Sequence, residues 1–148
     1  MGSLHAIEAY ARALSFQLKK GDILLFNGEM GTGKTTFIRA LSRYLGVQNE
    51  VTSPTFTTVH VYQASLPLYH LDLYRVERLE DLFTLDIELY FQKTDALVLI
   101  EWAEKLEDLT PKNYLSLSFS YALKPDERIL EVLPVGDTYT PRFQKQTL

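Results

Sequence analysis

The feature that most constrains this chain is a short segment that fills every fixed position of the G-x-x-x-x-G-K-[ST] phosphate loop. The segment reads Gly28-Glu29-Met30-Gly31-Thr32-Gly33-Lys34-Thr35. An apolar run at 23–26 precedes it, and residues 36–41 continue with helical spacing. This is the strand-then-helix context that the motif requires, so the sequence predicts a phosphate-binding loop at the start of a helix.

The residue types of the loop have physical reasons. Glycine has no Cβ, so Gly28, Gly31 and Gly33 are expected to adopt positive φ angles that turn backbone N–H groups toward phosphate oxygens. Lys34 is expected to reach the β- and γ-phosphates, and the Thr35 hydroxyl to bind Mg²⁺. The motif therefore predicts a nucleoside triphosphate with its metal ion as the ligand.

Two acids follow at positions typical of ligand-binding strand ends. Asp72 lies in the predicted strand 68–74, where burial of an acid is costly unless Mg²⁺, a nucleophilic water or a cation such as Arg75 partners it. His70 shares its strand face and is interpreted as a structural histidine. Glu101 ends the apolar run 96–100, the position of a second metal-binding acid in phosphate-loop enzymes.

A hydroxyl-rich segment lies between the loop helix and the next predicted strand. It contains Ser53, Pro54 and Thr55. In phosphate-loop proteins this is where a switch segment folds over Mg²⁺ and the γ-phosphate, although such a segment is also a common structural turn. Ser53 and Thr55 are therefore candidates for sensing the nucleotide.

The order of predicted elements favours the α/β class. A helix with apolar positions from Leu4 to Leu18 precedes the first strand and is interpreted as a packing helix; the alternative is that its start helps to wall the nucleotide base. A predicted hairpin follows at 115–121 and 128–132. We expect a phosphate-loop NTPase-like, three-layer fold with a mixed, mostly parallel central sheet and a C-terminal antiparallel hairpin. Residues 1–148 are expected to be one domain, with a loosely ordered tail at 136–148.

Composition restricts the partners and the compartment. The net charge is −4 and no Lys/Arg-rich segment is present, which argues against nucleic-acid binding without a partner. There are no cysteines, and the start of the sequence resembles neither a signal peptide nor a membrane span. These features favour a cytoplasmic protein that does not contact membranes.

Among phosphate-loop classes, a GTPase is disfavoured because the chain lacks a DxxG element at the expected distance. A small-molecule kinase remains an alternative. Such an enzyme needs a mobile lid that carries arginines, and the arginines of this chain form no obvious lid cluster in the sequence. A small ATPase that serves a partner and a nucleotide-sensing module without turnover also remain open.

The motifs of the chain resemble those of the TsaE (YjeE) family, which are bacterial ATPases required for the threonylcarbamoyladenosine modification of tRNA. The resemblance covers about residues 21–102. It rests on four segments in order: the phosphate loop, Ser53-Pro54-Thr55-Phe56, His70-Leu71-Asp72-Leu73-Tyr74-Arg75 and Ile100-Glu101-Trp102.

This resemblance implies a function and a set of site residues. ATP would be the substrate, bound by Met30, Gly31, Thr32, Gly33, Lys34, Thr35 and Thr36. Thr35 and Glu101 would coordinate Mg²⁺, Asp72 and Lys34 would be catalytic, and Ser53 and Thr55 would belong to the switch segment. The partner would be the TsaD–TsaB transferase complex, with tRNA contacted only indirectly.

Overall fold

A computed structural model describes residues 2–48 and 59–148 of the chain. The helices are α1 (Leu4–Gln17), α2 (Lys34–Tyr44), α3 (Leu79–Thr84) and α4 (Ile87–Phe91), and a 3-10 segment spans Ala103–Leu109. The strands are β1 (Gly2–Ser3), β2 (Ile23–Asn27), β3 (Val59–Tyr62), β4 (Leu68–Asp72), β5 (Leu97–Glu101), β6 (Tyr114–Tyr121), β7 (Glu127–Val135) and β8 (Gln146–Thr147). None of the helices in these ranges has the length and apolar character that a membrane crossing requires.

The strands form one sheet in the order β1-β7-β6-β2-β5-β4-β3, with β8 paired to β7. Strands β6, β2, β5 and β4 are mutually parallel in its centre, and the outer pairs are antiparallel. The predicted α/β class, the mixed sheet with a parallel centre and the C-terminal hairpin are therefore confirmed. The carboxyl ends of the parallel strands meet at one edge, where open α/β sheets bind ligands.

Two apolar cores, one on each face of the sheet, produce three layers. Successive residues of β2 alternate between them, because side chains of a strand point to opposite faces. Leu24 and Phe26 pack under helices α1 and α2, whereas Ile23 and Leu25 pack with the elements between β4 and β6. A strand covered on both faces has to be apolar throughout, which is why β2 reads as a continuous apolar run.

The C-terminal segment differs from the loosely ordered tail that its polar composition predicts. Tyr139 and Phe143 are buried in the core beside α1 and α2. The Tyr139 hydroxyl accepts a hydrogen bond from the backbone N–H of Ile23 at 2.7 Å, and Leu148 exchanges two backbone hydrogen bonds with Leu130. Two aromatic anchors and a strand pairing thus order a segment whose remaining residues are mostly polar, and the expectation for residues 136–148 is corrected accordingly.

Candidate functional site

The phosphate loop joins β2 to α2 at the carboxyl edge of the sheet. The predicted positive φ angles are present, at 137° for Gly28, 81° for Gly31 and 105° for Gly33. A Cβ on Gly28 would lie 2.5 Å from the carbonyl oxygen of Phe119, so the neighbouring strand leaves no room for one. A Cβ on Gly33 would meet no atom within 4 Å. Gly33 is therefore required for its positive φ angle and not for lack of room, and the space beside it at the start of α2 is open.

That open space lies at the N-terminus of α2. The N-cap residue, Gly33, has no side chain that could cap the helix, and its carbonyl accepts the N–H of Phe37 at 2.9 Å. The preceding N–H groups and the positive end of the helix dipole suit an anion. Of the remaining ATP-binding candidates, Met30 is exposed, Thr32 is buried and donates its hydroxyl to the Glu29 carbonyl, and Thr36 lines the adjoining cavity.

Lys34, the first residue of α2, is held between the loop and an aromatic ring. Its Nζ donates to the Gly28 carbonyl and lies 3.5 Å from the ring centroid of Trp102. Burial lowers the pKa of Lys34, against the attraction of Glu104, Glu101 and Asp72, which raises it. A cation that is partly stripped of water and faces acids is well suited to an anionic ligand.

Glu101 ends β5 and is almost fully buried, at 2% exposure. Its Oε1 accepts a hydrogen bond from the Thr35 hydroxyl at 2.9 Å, and its Oε2 lies 2.6 Å from Nε2 of His70. Burial acts to raise the pKa of Glu101, but the hydrogen bond and charge of His70, with help from Thr35 and Lys34, hold this pKa below its ordinary value. The ionised carboxylate is therefore the favoured form.

Asp72 ends β4 and lies beside Glu101, because the two residues pair in the parallel register of β4 and β5. Its Oδ1 accepts the backbone N–H of Tyr74 at 3.0 Å. Burial raises the pKa of Asp72, the Tyr74 N–H lowers it, and the neighbouring Glu101 raises it further. Within the described residues the carboxylate forms this backbone bond and no ion pair with Arg75, so the alternative of an Arg75 partner is not supported; the charges of His70 and Lys34 act to lower its pKa.

The donor set at this edge fits one particular kind of metal site. Thr35 Oγ1 and Glu101 Oε1 are hard oxygen atoms, 2.9 Å apart, of the type that Mg²⁺ prefers. Residues 2–48 and 59–148 contain no group of three or more His, Cys, Asp or Glu side chains that could hold a metal. Mg²⁺ commonly binds through one or two protein ligands together with phosphates and water. The site therefore suits Mg²⁺ held jointly with a bound nucleotide.

A cavity of about 550 Å³ adjoins the loop on the side of α1. Its lining combines apolar side chains with three arginines and one acid, and includes Leu4, Ile7, Phe37, Ala40, Phe119, Arg39, Arg43, Arg128 and Glu8. Arg43 binds Glu8 at 2.9 Å. The sequence indicated no arginine cluster, because these guanidinium groups come from α2 and from a strand more than eighty residues later. Leu4 and Ile7 place the start of α1 in this lining, and its role as a wall for the nucleotide base stays a prediction.

Several neighbours of the loop were not predicted as site residues. Trp102, which follows β5, lies against Lys34. The Tyr121 hydroxyl donates to the Met30 carbonyl at 2.8 Å, and the Arg128 guanidinium lies 4.9 Å from the Tyr121 ring centroid. The contacts of Tyr121 and Arg128 depend on the placement of β6 beside β2 and of β7 beside β6, for which the sequence carries no local signal. Ser53 and Thr55 lie outside the described residues, so their switch role stays a prediction.

Comparison with known proteins gives a consistent result. Residues 1–129 match the family model described as threonylcarbamoyl adenosine biosynthesis protein TsaE. The chain is 42% identical over 110 residues to the tRNA threonylcarbamoyladenosine biosynthesis protein TsaE of Synechocystis, covering 72% of this chain and 69% of that protein. It is 36% identical over 133 residues to the protein of the same name from Bacillus subtilis, covering 89% and 82%.

A solved structure shows the same fold. The crystal structure of Bacillus subtilis YdiB superposes with a TM-score of 0.72 at 31% sequence identity, covering 94% of this chain and 85% of that one. The match extends beyond residues 21–102, where the sequence motifs lie, and so includes strands of the C-terminal hairpin.

Proposed function

The chain belongs to the TsaE family of tRNA threonylcarbamoyladenosine biosynthesis, and from this membership we propose that it binds and hydrolyses ATP to support that modification. The observation that carries the proposal is the convergence of Lys34, Thr35, Asp72 and Glu101 at the N-terminus of α2. Lys34 and Thr35 follow the open loop, and Asp72 and Glu101 end neighbouring parallel strands. Together they supply the groups that phosphoryl transfer to water needs.

The loop would bind the phosphates of ATP. Backbone N–H groups between Met30 and Thr36 would donate to phosphate oxygens at the positive end of α2. Lys34 would turn from the Gly28 carbonyl and the Trp102 ring toward the β- and γ-phosphates, exchanging neutral partners for charged ones. Positive charge near the transferred group stabilises the charge that its oxygens carry in the transition state.

Thr35 and Glu101 would hold Mg²⁺, which neutralises charge on the β- and γ-phosphates when it is bound. Glu101 suits this role because its low pKa keeps it ionised. The Thr35 hydroxyl already lies within hydrogen-bond distance of that carboxylate. Both ligands would thus be in place before the nucleotide arrives, which reduces the reorganisation needed on binding.

Asp72 would orient the attacking water. Its carboxylate lies at the same sheet edge as Glu101, and its raised pKa makes it a better proton acceptor than an ordinary aspartate. One carboxylate oxygen would accept a hydrogen bond from the water, which attacks the γ-phosphorus as the bond to the ADP oxygen breaks. The proton of the water passes to Asp72 or to the released phosphate.

The nucleoside would occupy the cavity beside the loop. Thr36, whose side chain lines this space, lies next to the phosphate-binding residues. The apolar lining residues suit the face of a purine, and the arginines of the lining suit its ring and the phosphates.

The partner would be the TsaD–TsaB transferase complex in the cytoplasm. An acidic chain with a net charge of −4 is poorly suited to bind tRNA by itself, because affinity for nucleic acid comes largely from phosphate neutralisation. Contact with tRNA would therefore pass through the partner. ATP hydrolysis would reset that complex for further turnover and would not be the transfer chemistry itself.

The test is ATP hydrolysis by the purified protein, alone and with TsaD, TsaB and tRNA. We expect slow hydrolysis alone, a rise with the complex and a loss of roughly 100-fold or more in Glu101→Ala. Lys34→Ala should lose ATP binding, which calorimetry measures directly. Unchanged ATP affinity in Lys34→Ala would reject the site, no effect of the complex would reject the partner, and phosphate transfer to a metabolite faster than hydrolysis would favour a small-molecule kinase.

A further inference from the structure

His70 is buried beside the predicted metal ligand and contacts it directly. The side chain has 0% exposure, and its Nε2 lies 2.6 Å from Glu101 Oε2. The other carboxylate oxygen, Oε1, accepts the Thr35 hydroxyl. The two oxygens of Glu101 are therefore divided, one turned toward the imidazole and the other toward the candidate metal position.

The strand register explains this contact. Asp72 pairs with Glu101 and His70 pairs with Leu99 in the parallel ladder of β4 and β5. Since alternate residues share a face, His70 and Glu101 lie on the same face of the sheet. Glu101 lies two residues beyond Leu99, the residue that pairs with His70. The imidazole is long enough to reach diagonally to the carboxylate, and it does so from inside the core.

Packing alone does not account for a histidine at this position. Leu68, Leu97 and Leu99 surround it on the same face and form part of the core under α1 and α2. Within the described residues the second ring nitrogen, Nδ1, is buried without a hydrogen-bond partner. A buried polar atom without a partner is unfavourable, and an apolar side chain would avoid that cost. Among residues 2–48 and 59–148, the polar partner of the ring is Glu101.

We infer that His70 is a positioning residue that fixes the Glu101 carboxylate in the orientation that presents Oε1 to Mg²⁺, an inference that rests on the proposed function. The Nε2–H group donates to Oε2 and stops the carboxylate from rotating about its terminal bond. Hydrogen-bonding partners of metal ligands act in this way, and their loss lowers metal affinity by about 10- to 100-fold.

The sharpest test compares two amides at position 70. In His70→Gln the side-chain nitrogen takes the place of Nε2 and can still donate to Glu101, whereas in His70→Asn it takes the place of Nδ1 and is too short. Mn²⁺ binding to the protein–ADP complex is measured from the electron paramagnetic resonance signal of free Mn²⁺. We expect His70→Asn to weaken Mn²⁺ binding by about 10-fold or more, and His70→Gln to stay within about threefold of the unmodified protein.

Further variants separate positioning from stability. His60 pairs with His70 across the β3–β4 ladder and bonds to Tyr62, so His60→Leu is the matched control and should leave Mn²⁺ binding unchanged. His70→Leu fills the core with an apolar side chain, and we expect it to fold yet bind Mn²⁺ as weakly as His70→Asn. ADP affinity without metal should be the same in all variants, because the phosphate loop is untouched.

The outcomes distinguish this inference from the function on which it rests. Equal Mn²⁺ affinity in His70→Asn, His70→Gln and the unmodified protein, with only the melting temperature changed, would overturn the positioning role and leave the metal site intact. Absence of Mn²⁺ binding in the unmodified protein–ADP complex would overturn both the inference and the proposed metal site.

Discussion

Asp22 and Glu101 are equally buried, at 2% exposure each, but they lie at opposite ends of the sheet and have different partners. Asp22 precedes β2, and both of its oxygens bind the guanidinium of Arg142, at 2.6 and 2.7 Å. Glu101, at the carboxyl edge, contacts a hydroxyl and an imidazole. The first acid is neutralised by a fixed cation within the fold, whereas the second is oriented by groups that leave it able to bind a further cation.

The same contrast extends to the neighbours of each acid. At the amino edge, the hydrogen bond with Asp22 raises the pKa of Arg142, with burial opposing it, so the guanidinium stays charged in its pair with Asp22. At the carboxyl edge, burial shifts the pKa of Lys34 downward and that of Asp72 upward, which disfavours the charged form of each. The amino edge therefore holds an ion pair, whereas the carboxyl edge holds ionisable groups with perturbed pKa values. Perturbed pKa values of this kind are common at functional sites.

The largest expected effect is on the amino edge. Arg142→Met should destabilise the fold by about 3 kcal/mol, because it leaves the Asp22 carboxylate buried without its cation. For a domain of this size that corresponds to a fall in melting temperature of roughly 6–12 °C. Thermal and urea unfolding followed by circular dichroism measures both. ATP affinity at a temperature where the variant is folded should not change.

The double variant Arg142→Met with Asp22→Asn is the control. It removes the unpaired charge and should recover part of the lost stability. A loss below about 1 kcal/mol in Arg142→Met would mean that the pair behaves as a solvated surface bridge. The contrast between the two edges would then be wrong.

Much of this fold was predictable because the signals that set it are local. The run 96–100 is apolar because β5 is covered on both faces, and the glycines of the loop mark its backbone angles. The sheet order was not predictable. Placement of β6 beside β2, and of the C-terminal segment against the core through Tyr139 and Phe143, depends on contacts between distant residues.

The candidate site likewise has residues that the sequence could predict and a contact that it could not. Lys34 and Thr35 belong to one motif, and Asp72 and Glu101 each end a strand, so the sequence alone was enough to name them as candidates. His70 was recognised as sharing a face with Asp72, but its contact with Glu101 requires the register of β4 with β5. If the parallel pairing of β4 with β5 had been known, the contact could have been predicted, because His70 lies two residues before Asp72 on the same face of β4.

The second expected effect is at the carboxyl edge and has the opposite sign. Asp72→Asn should stabilise the fold at pH 7 by about 1 kcal/mol or less, as removal of an unfavourable active-site charge often does. Asparagine keeps an oxygen that can accept the Tyr74 N–H, so the backbone contact is retained. The same variant should bind ATP and hydrolyse it poorly, since it cannot accept a proton from water.

The pH dependence of this gain follows from the raised pKa of Asp72. Below its ordinary pKa of about 4 the carboxyl is neutral in both states, so the variant gains nothing. As the pH rises toward the raised pKa of the folded state, the unfolded chain ionises first and the native protein loses stability relative to Asp72→Asn. Urea unfolding between pH 3 and 7 checks this; a gain that is constant over that range, or a loss at pH 7, would contradict it.

The smallest expected effect is on ATP affinity, and it is tested by comparing the two ends of strand β6. Tyr121, at the carboxyl end of β6, donates its hydroxyl to the Met30 carbonyl. The C=O and N–H of a trans peptide point in opposite directions, so this bond also fixes the N–H of Gly31 for a phosphate. Tyr121 is 50% exposed, which places the bond at the weak end of the usual range, about 0.5 kcal/mol. Tyr121→Phe should therefore weaken ATP binding only about two- to threefold.

Tyr114, at the amino end of the same strand, is the matched control for this variant. It packs against the core on the other face of the sheet, far along β6 from the loop, so Tyr114→Phe should leave ATP affinity unchanged. Isothermal titration calorimetry of both variants, with melting temperatures measured in parallel, separates an effect on the loop from a loss of stability. Equal weakening in the two variants would show that ATP affinity follows the stability of β6 as a whole, and that the hydroxyl at the carboxyl edge does not orient the loop.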